Sequence, residues 1–171
     1  TSAGADAVPT MATLSAGKIL QFKSGQQQTE YSFSIETWHD VLLLTQTITP
    51  SSTSSKIYVH VTMNTATTES GSGAIYAHGR VLRDSTPIGL GNSAGNAQQQ
   101  VGWSMSNRHG YTRIMPSTWA YLDSPSSTSA LTYKVQIWGS EIQTINRSGE
   151  NNSHATVGRC SCSFTVMEIG A

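Results

Sequence analysis

Ile48-Thr49-Pro50-Ser51-Ser52-Thr53-Ser54-Ser55-Lys56-Ile57-Tyr58-Val59 returns downstream as Leu122-Asp123-Ser124-Pro125-Ser126-Ser127-Thr128-Ser129-Ala130-Leu131-Thr132-Tyr133-Lys134-Val135. Each copy reads as a strand, a Pro-Ser-Ser-Thr-Ser turn and a second strand. Proline has no N–H to give a ladder, so it ends the strand before it. The hydroxyl run then reverses the chain through local side-chain to backbone bonds. Two such turns in one chain predict an antiparallel β fold.

The flanking sequence agrees. Ile57, Val59, Val61 and Met63 alternate with Lys56, Tyr58, His60 and Thr62, and Tyr133, Val135 and Ile137 alternate in the second copy. This is the period of a half-buried strand. Further strands are expected at Ile19 to Phe22, around Tyr31, Phe33 and Ile35, at Trp38 to Thr49, Ala74 to Arg83, Val101 to Met105, Tyr111 to Tyr121, Leu131 to Trp138, near Ile142, and at Cys160 to Ile169. Turns are expected at Gly25 to Gln28, Asp84 to Pro87 and Ser106 to Gly110. Trp38 to Thr49 is apolar on both faces and should be covered on both sides for part of its length. No amphipathic helical stretch competes. Short strands between Gly, Pro and Ser turns predict an all-β, antiparallel, jelly-roll-like sandwich. Its core should include Ile57, Val59, Val61, Tyr133, Val135, Ile137, Phe164 and Val166. We expect a linker or N-terminal arm over residues 1–17 and a single β-sandwich domain over 18–171. The missing initiator methionine suggests a longer parent chain.

Charged residues make up only 12%, ten basic against ten acidic. Nothing draws such a chain electrostatically to nucleic acid or an anionic bilayer. The longest apolar run, Val41 to Leu44, is strand length, far short of the roughly 18 residues of a membrane span. Cys160 and Cys162 should share a strand face with Phe164 and Val166 and pack as buried thiols. Cys-x-Cys with no second pair does not make a zinc site. The five histidines, His39, His60, His78, His109 and His154, show no metal-ligand spacing, and Gly-x-Ser-x-Gly and the phosphate-cradling glycine loop are absent. Glu36 and Asp40, four apart on an expected strand, are faint evidence for a paired-carboxylate glycosidase. Asn146-Arg147-Ser148 and Asn151-Asn152-Ser153 fit the glycosylation acceptor pattern. The expectation is a non-enzymatic protein without cofactor or metal.

Aromatic residues are the better lead. Trp138 sits on the polar face of its strand beside the long Gly139 loop. A ring there, next to amide and guanidinium donors, suits a sugar; burial against another subunit is the competing reading. The expected contact surface is Trp103, Asn107, Arg108, His109 and Tyr111 together with Trp138, Asn146, Arg147, Asn151 and His154. These stretches concentrate flat rings and planar donors on loops. Their histidines predict binding that changes between about pH 6 and 7.

Gly17-Lys18-Ile19-Leu20-Gln21, the first Pro-Ser-Ser-Thr-Ser phrase, Arg80-Val81-Leu82-Arg83-Asp84-Ser85-Thr86-Pro87-Ile88-Gly89, Tyr121 to Pro125, Thr132-Tyr133-Lys134-Val135-Gln136 and Thr165-Val166-Met167-Glu168-Ile169 carry a resemblance. The chain resembles a domain of tailed bacteriophages, marine and cyanobacterial phages especially, found at the C-terminal end of tail fibres and related appendages. The resemblance implies a virion structural protein, a homotrimer, and attachment to other virion proteins through the N-terminal arm. It supplies no catalytic residues. Together with the aromatic lead it implies a distal tail-fibre domain that binds a host-surface glycan during adsorption. The alternatives are a capsid decoration or head-fibre protein, or a purely structural fibre segment. A polysaccharide-degrading appendage is disfavoured by the scarcity of carboxylates. The both-sided apolarity of Trp38 to Ile48 would suit a strand at a subunit seam.

Overall fold

A computed structural model of the chain describes residues 17–33, 36–68, 74–95, 97, 99, 104–108, 113–150, 153–155 and 157–171. Of the expected arm, only Gly17 falls among them; its N–H donates to Gly170 O at 2.8 Å. The described residues form eleven strands and no helix, so none is long and apolar enough to cross a membrane. The strands are β1 (Ile19–Gln27), β2 (Tyr31–Phe33), β3 (His39–Ile48), β4 (Lys56–Thr67), β5 (Ala74–Arg83), β6 (Thr86–Ile88), β7 (Ser104–Arg108), β8 (Met115–Asp123), β9 (Leu131–Gly139), β10 (Gln143–Ile145) and β11 (Cys162–Ile169). One sheet runs β1-β11-β4-β10-β2, with β8 on the other side of β4; the second runs β3-β9-β5-β6, with β7 on β5. Every pairing is antiparallel.

The fold is therefore all-β, and the expected core is the observed one. Ile57, Val59 and Val61 of β4, Tyr133, Val135 and Ile137 of β9, and Phe164 and Val166 of β11 are all buried between the sheets. Val41, Leu44 and Ile48 of β3 join them.

The repeated phrase takes a form that period-2 reading does not supply. Neither copy closes a hairpin within one sheet. The first carries the chain from β3, in the second sheet, to β4, in the first; the second carries it back from β8 to β9. Ile48 pairs with Leu131 on one side of the gap and Ile57 with Asp123 on the other. The two copies are thus the two sides of one corner, where a two-stranded ribbon folds from sheet to sheet. Each is tightened by the same local bond: Ser54 N–H donates to Ser52 Oγ at 3.2 Å, and Ser129 N–H to Ser127 Oγ at 3.0 Å. Lys56 Nζ reaches across to Ser124 Oγ at 2.8 Å.

Two carboxylates hold this corner. Glu168 of β11 is fully buried, and among the described residues no cation pairs with it. It accepts from Ser51 N–H and Ser51 Oγ at 2.6 Å each, from Ser55 Oγ at 2.7 Å, and from Gln21 Nε2 at 2.6 Å. Asp123, also buried, accepts from Tyr133 Oη at 2.7 Å and from Arg83 Nη1 at 2.9 and 2.8 Å.

Several expected boundaries move. Gly25 to Gln27 is not a turn but the end of β1, paired through to Cys162. Ser106 to Arg108 continues β7 rather than turning, because it pairs with Ala74 to Tyr76. Glu36 precedes β3 with φ of 57°, so it does not share a strand face with Asp40. In β3 the register slips between Asp40 and Thr45, and Leu43 takes φ of 65° in the bulge. The extra residues turn Leu42 and Leu43 outward, 63% and 66% exposed. Within one chain the second apolar face of this strand stays open at Leu42 and Leu43.

Replacing Glu168 with Ala strands four donors in the corner, which should cost about 3 kcal/mol in urea unfolding. Burial pushes this carboxyl up, but the Ser51, Ser55 and Gln21 hydrogen bonds outweigh it and hold the group below its usual range. Its stabilisation is complete above the unfolded value of about 4.3 and drains as pH falls toward the lower folded value. Glu168→Gln should flatten that acid limb; an unchanged slope below pH 4 would assign the limb to other groups.

Candidate functional site

Burial along β9 alternates strictly, which leaves Lys134, Gln136 and Trp138 on its outer face. On β5, Ala77 and Val81 point inward, leaving Tyr76, His78 and Arg80 outside. Pairing sets His78 against Trp138 and Arg80 against Gln136, and on the other side Asp40 of β3 against Gln136. Three strands therefore present one continuous platform on the outer face of the second sheet.

At one end the platform is aromatic. The Tyr76 and His78 rings stack at 6.5 Å and 12°, and the His78 and Trp138 rings at 5.1 Å and 29°. Tyr76 is 47% exposed, and Trp138 half-buried. Tyr76 is tied to the strand end by bonds in both directions: Ser140 N–H donates to Tyr76 O and Tyr76 N–H to Ser140 Oγ, each at 3.0 Å.

At the other end it is polar. The Arg80 guanidinium lies 4.0 Å over the Trp38 ring, a cation–π contact, and its Nε donates to Gln136 Oε1 at 2.8 Å. Gln136 Nε2 donates to Asp40 Oδ1 at 2.6 Å, and Lys134 Nζ to Asp40 Oδ2 at 2.8 Å. Burial pushes the Asp40 carboxyl up, but the bonds from Lys134 and Gln136 and the nearby Lys134 and Arg80 charges outweigh it and hold it below the usual range. Asp40 is ionised at neutral pH, so the chain Lys134–Asp40–Gln136–Arg80 is a string of charge-assisted bonds. It fixes each side chain in place.

The expected contact residues divide. Trp138 lies on the platform. Asn107 and Arg108 lie on β7, paired in backbone register with Ile75 and Ala74, so their strand extends the same sheet beyond Tyr76. Trp103, His109, Tyr111 and Asn151 lie outside the described residues. His154 is exposed, in the connection between β10 and β11.

Asn146 and Arg147 are corrected: both are buried and serve the fold. Asn146, with φ of 61°, donates to Gln27 O at 2.6 Å and accepts from the Cys162 thiol at 2.9 Å, while its N–H meets Asn64 O at 2.9 Å. It joins β1, β4 and β11 and is closed to glycosylation in the folded chain. Arg147 donates to Ser148 O, Gly149 O and Ser32 Oγ at 2.9, 3.1 and 2.9 Å. Its Nε lies 3.7 Å from Glu30, which also pairs with Arg159 at 3.2 Å. Residue type alone did not separate these inward donors from ligand donors. Arg80, Trp38, Asp40 and Gln136 were missed as site residues because they sit on, or for Trp38 just before, three strands far apart in sequence.

Among the described residues, no group of three or more His, Cys, Asp or Glu could hold a metal ion. Cys162 points into the core as expected, while Cys160 precedes β11 and is half-buried; both are free thiols. No family model matches the chain, and no curated protein matches it in sequence.

Burial raises the Cys162 thiol to about 11, and Cys160 is raised as well. Iodoacetamide at pH 8 should therefore modify Cys160 first and leave Cys162 intact until the chain unfolds, read by peptide mass spectrometry. Replacing Arg147 with Ala should lower stability by about 2 kcal/mol without touching the platform.

Proposed function

We propose that this chain is a non-enzymatic virion protein of a tailed bacteriophage, the distal domain of a tail fibre or related appendage. In this reading it is a jelly-roll-like sandwich, assembles as a homotrimer, and binds a host-surface glycan on the outer face of the second sheet. The observation that carries the binding reading is the Tyr76–His78–Trp138 row continuing into Arg80, Gln136, Asp40 and Lys134. Aromatic faces take the apolar side of a pyranose, and planar amides, guanidinium and carboxylate groups bond its hydroxyls. A rigid sheet holds them without an ordering cost on binding. The viral assignment rests on the resemblance in the turn-and-strand phrases. The jelly-roll reading is supported by the β3–β4 segment pairing with β8–β9 while both fold across one corner.

A second reading, a purely structural or decoration protein that touches only other copies, is favoured by apolar residues left in the open. Phe22, Met167, Tyr58 and Leu122 form a row across the outer face of the first sheet, and Phe22 and Leu122 are more than half exposed. Ile19, Leu42 and Leu43 are exposed as well. These surfaces support self-association under either reading.

Trp138→Ala, in protein shown to stay folded and assembled, should weaken adsorption to host cells or their surface polysaccharide about tenfold, the equivalent of about 1.4 kcal/mol. Unchanged adsorption would remove this face from the binding role and favour the structural reading. Sedimentation should show a trimer at micromolar concentration; a stable monomer would end the assembly proposal.

A further inference from the structure

We propose that the glycan taken by this platform is acidic: a sugar carboxylate is received by the two Nη groups of Arg80, with the sugar ring lying along Trp138. This rests on the glycan-binding reading above and names the class of sugar.

The Arg80 side chain is held at two points, by its Nε bond to Gln136 and by its seat over the Trp38 ring. Both contacts fix the plane of the guanidinium. Neither uses the Nη groups, and among the described residues neither Nη has a hydrogen-bond partner. Five N–H donors in a planar fork match two carboxylate oxygens, and a pre-positioned fork loses little freedom on binding. Arg80 is half-buried, so an anion there meets it partly shielded from water.

The local charge balance points the same way. The platform carries two cations, Arg80 and Lys134, against one carboxylate, Asp40. Asp40 is matched by the Lys134 ammonium at 2.8 Å, which leaves the Arg80 charge in excess. Other acids lie at the opposite end. Glu36, whose N–H meets Gly139 O at 2.8 Å, and Glu141 flank the strand end beyond Trp138. The field thus orients an acidic sugar with its carboxylate toward Arg80 and its uncharged hydroxyls toward Gly139. His78 and Trp138 are in adjacent register to Arg80 and Gln136, two residues along each strand. The backbone positions of the ring pair and of the Arg80–Gln136 pair are therefore about 7 Å apart along the strands, on the order of the width of one pyranose.

The test is titration calorimetry of the whole chain against polygalacturonate, alginate and hyaluronate, and against their carboxyl-reduced, uncharged counterparts. The expected result is at least about tenfold tighter binding to an acidic polymer than to its reduced form. Arg80→Gln should erase that difference while leaving the weak neutral binding, and Trp138→Ala should weaken both. Arg80→Lys, which keeps the charge and loses the fork, should recover only part. Should Arg80→Gln fail to fold, competition on the unaltered chain by free galacturonate against free galactose decides the same point. Equal affinity for acidic and reduced polymers would overturn the proposal and leave the glycan-binding reading standing. Tighter binding to a sulfated galactan than to polygalacturonate would overturn the carboxylate assignment. No binding to any polymer, charged or reduced, would overturn the proposal and count against glycan binding itself.

Discussion

A single buried carboxylate, that of Glu168, closes the corner on which the two sheets depend. An ionised carboxylate out of water and without a cation costs several kcal/mol unless its lone pairs are filled. Here Ser51, Ser55 and Gln21 fill them. The same bonds dock the Pro50 turn against β11 and tie it to β1, so the strand leaving the second sheet is delivered to the first. Asp123 does the corresponding task for the return strand, through the Tyr133 hydroxyl and Arg83. Two phrases that share Pro-Ser-Ser-Thr-Ser are anchored by different acids. One difference lies at the anchor itself: where the first copy has Ser55, which bonds Glu168, the second has Ala130 and offers no such hydroxyl.

The corner commits only the inner faces of the two sheets to the core, and the outer faces are free to differ. The first sheet shows the Phe22–Met167–Tyr58–Leu122 row beside hydroxyl pairs such as Ser24–Thr165, at 2.8 Å. The second shows stacked rings and a string of charged bonds. A face with few charges meets a like copy without repulsion, while a rigid face of rings and planar donors suits a hydroxylated ligand. The β3 bulge belongs to neither interior. It places two leucines in water with one in a left-handed conformation, a cost retained at the edge of the sheet, where bulges also hinder edge-to-edge pairing.

A second polar centre explains why the amide-rich stretch after β9 is not a loose loop. Asn146 bonds Gln27 O, Asn64 O and the Cys162 thiol, and Arg147 bonds Ser32 and two carbonyls. Buried polar groups survive only when satisfied, and here Gln27, Ser32, Asn64 and Cys162 come from four different strands while Ser148 and Gly149 are local. That network closes the open end of the first sheet where β10 and β2 are too short to do so by ladder bonds alone.

The alternation along β4, β9 and β11 by itself determined the class of fold and the core. A period of two sends Ile57, Val59, Tyr133, Val135, Phe164 and Val166 to one side, whatever the partner strand is. The repeated Pro-Ser-Ser-Thr-Ser phrase likewise marked both turns, since proline and hydroxyl chemistry is local. Trp138 was legible as an outward ring for the same reason. Which sheets the turns connect was not legible, because a hairpin and a corner share local geometry and differ only in what the far strands pair with. The ends of β1 and of β7 were misplaced as turns because Gly, Gln, Ser and Asn have weak strand preference, and long-range ladder bonds overrode it. The tertiary structure alone decided that Asn146 and Arg147 face inward. It also decided that Arg80, Gln136 and Asp40 meet beside Trp138, since contact across three strands depends on register, and register is set by the whole sheet.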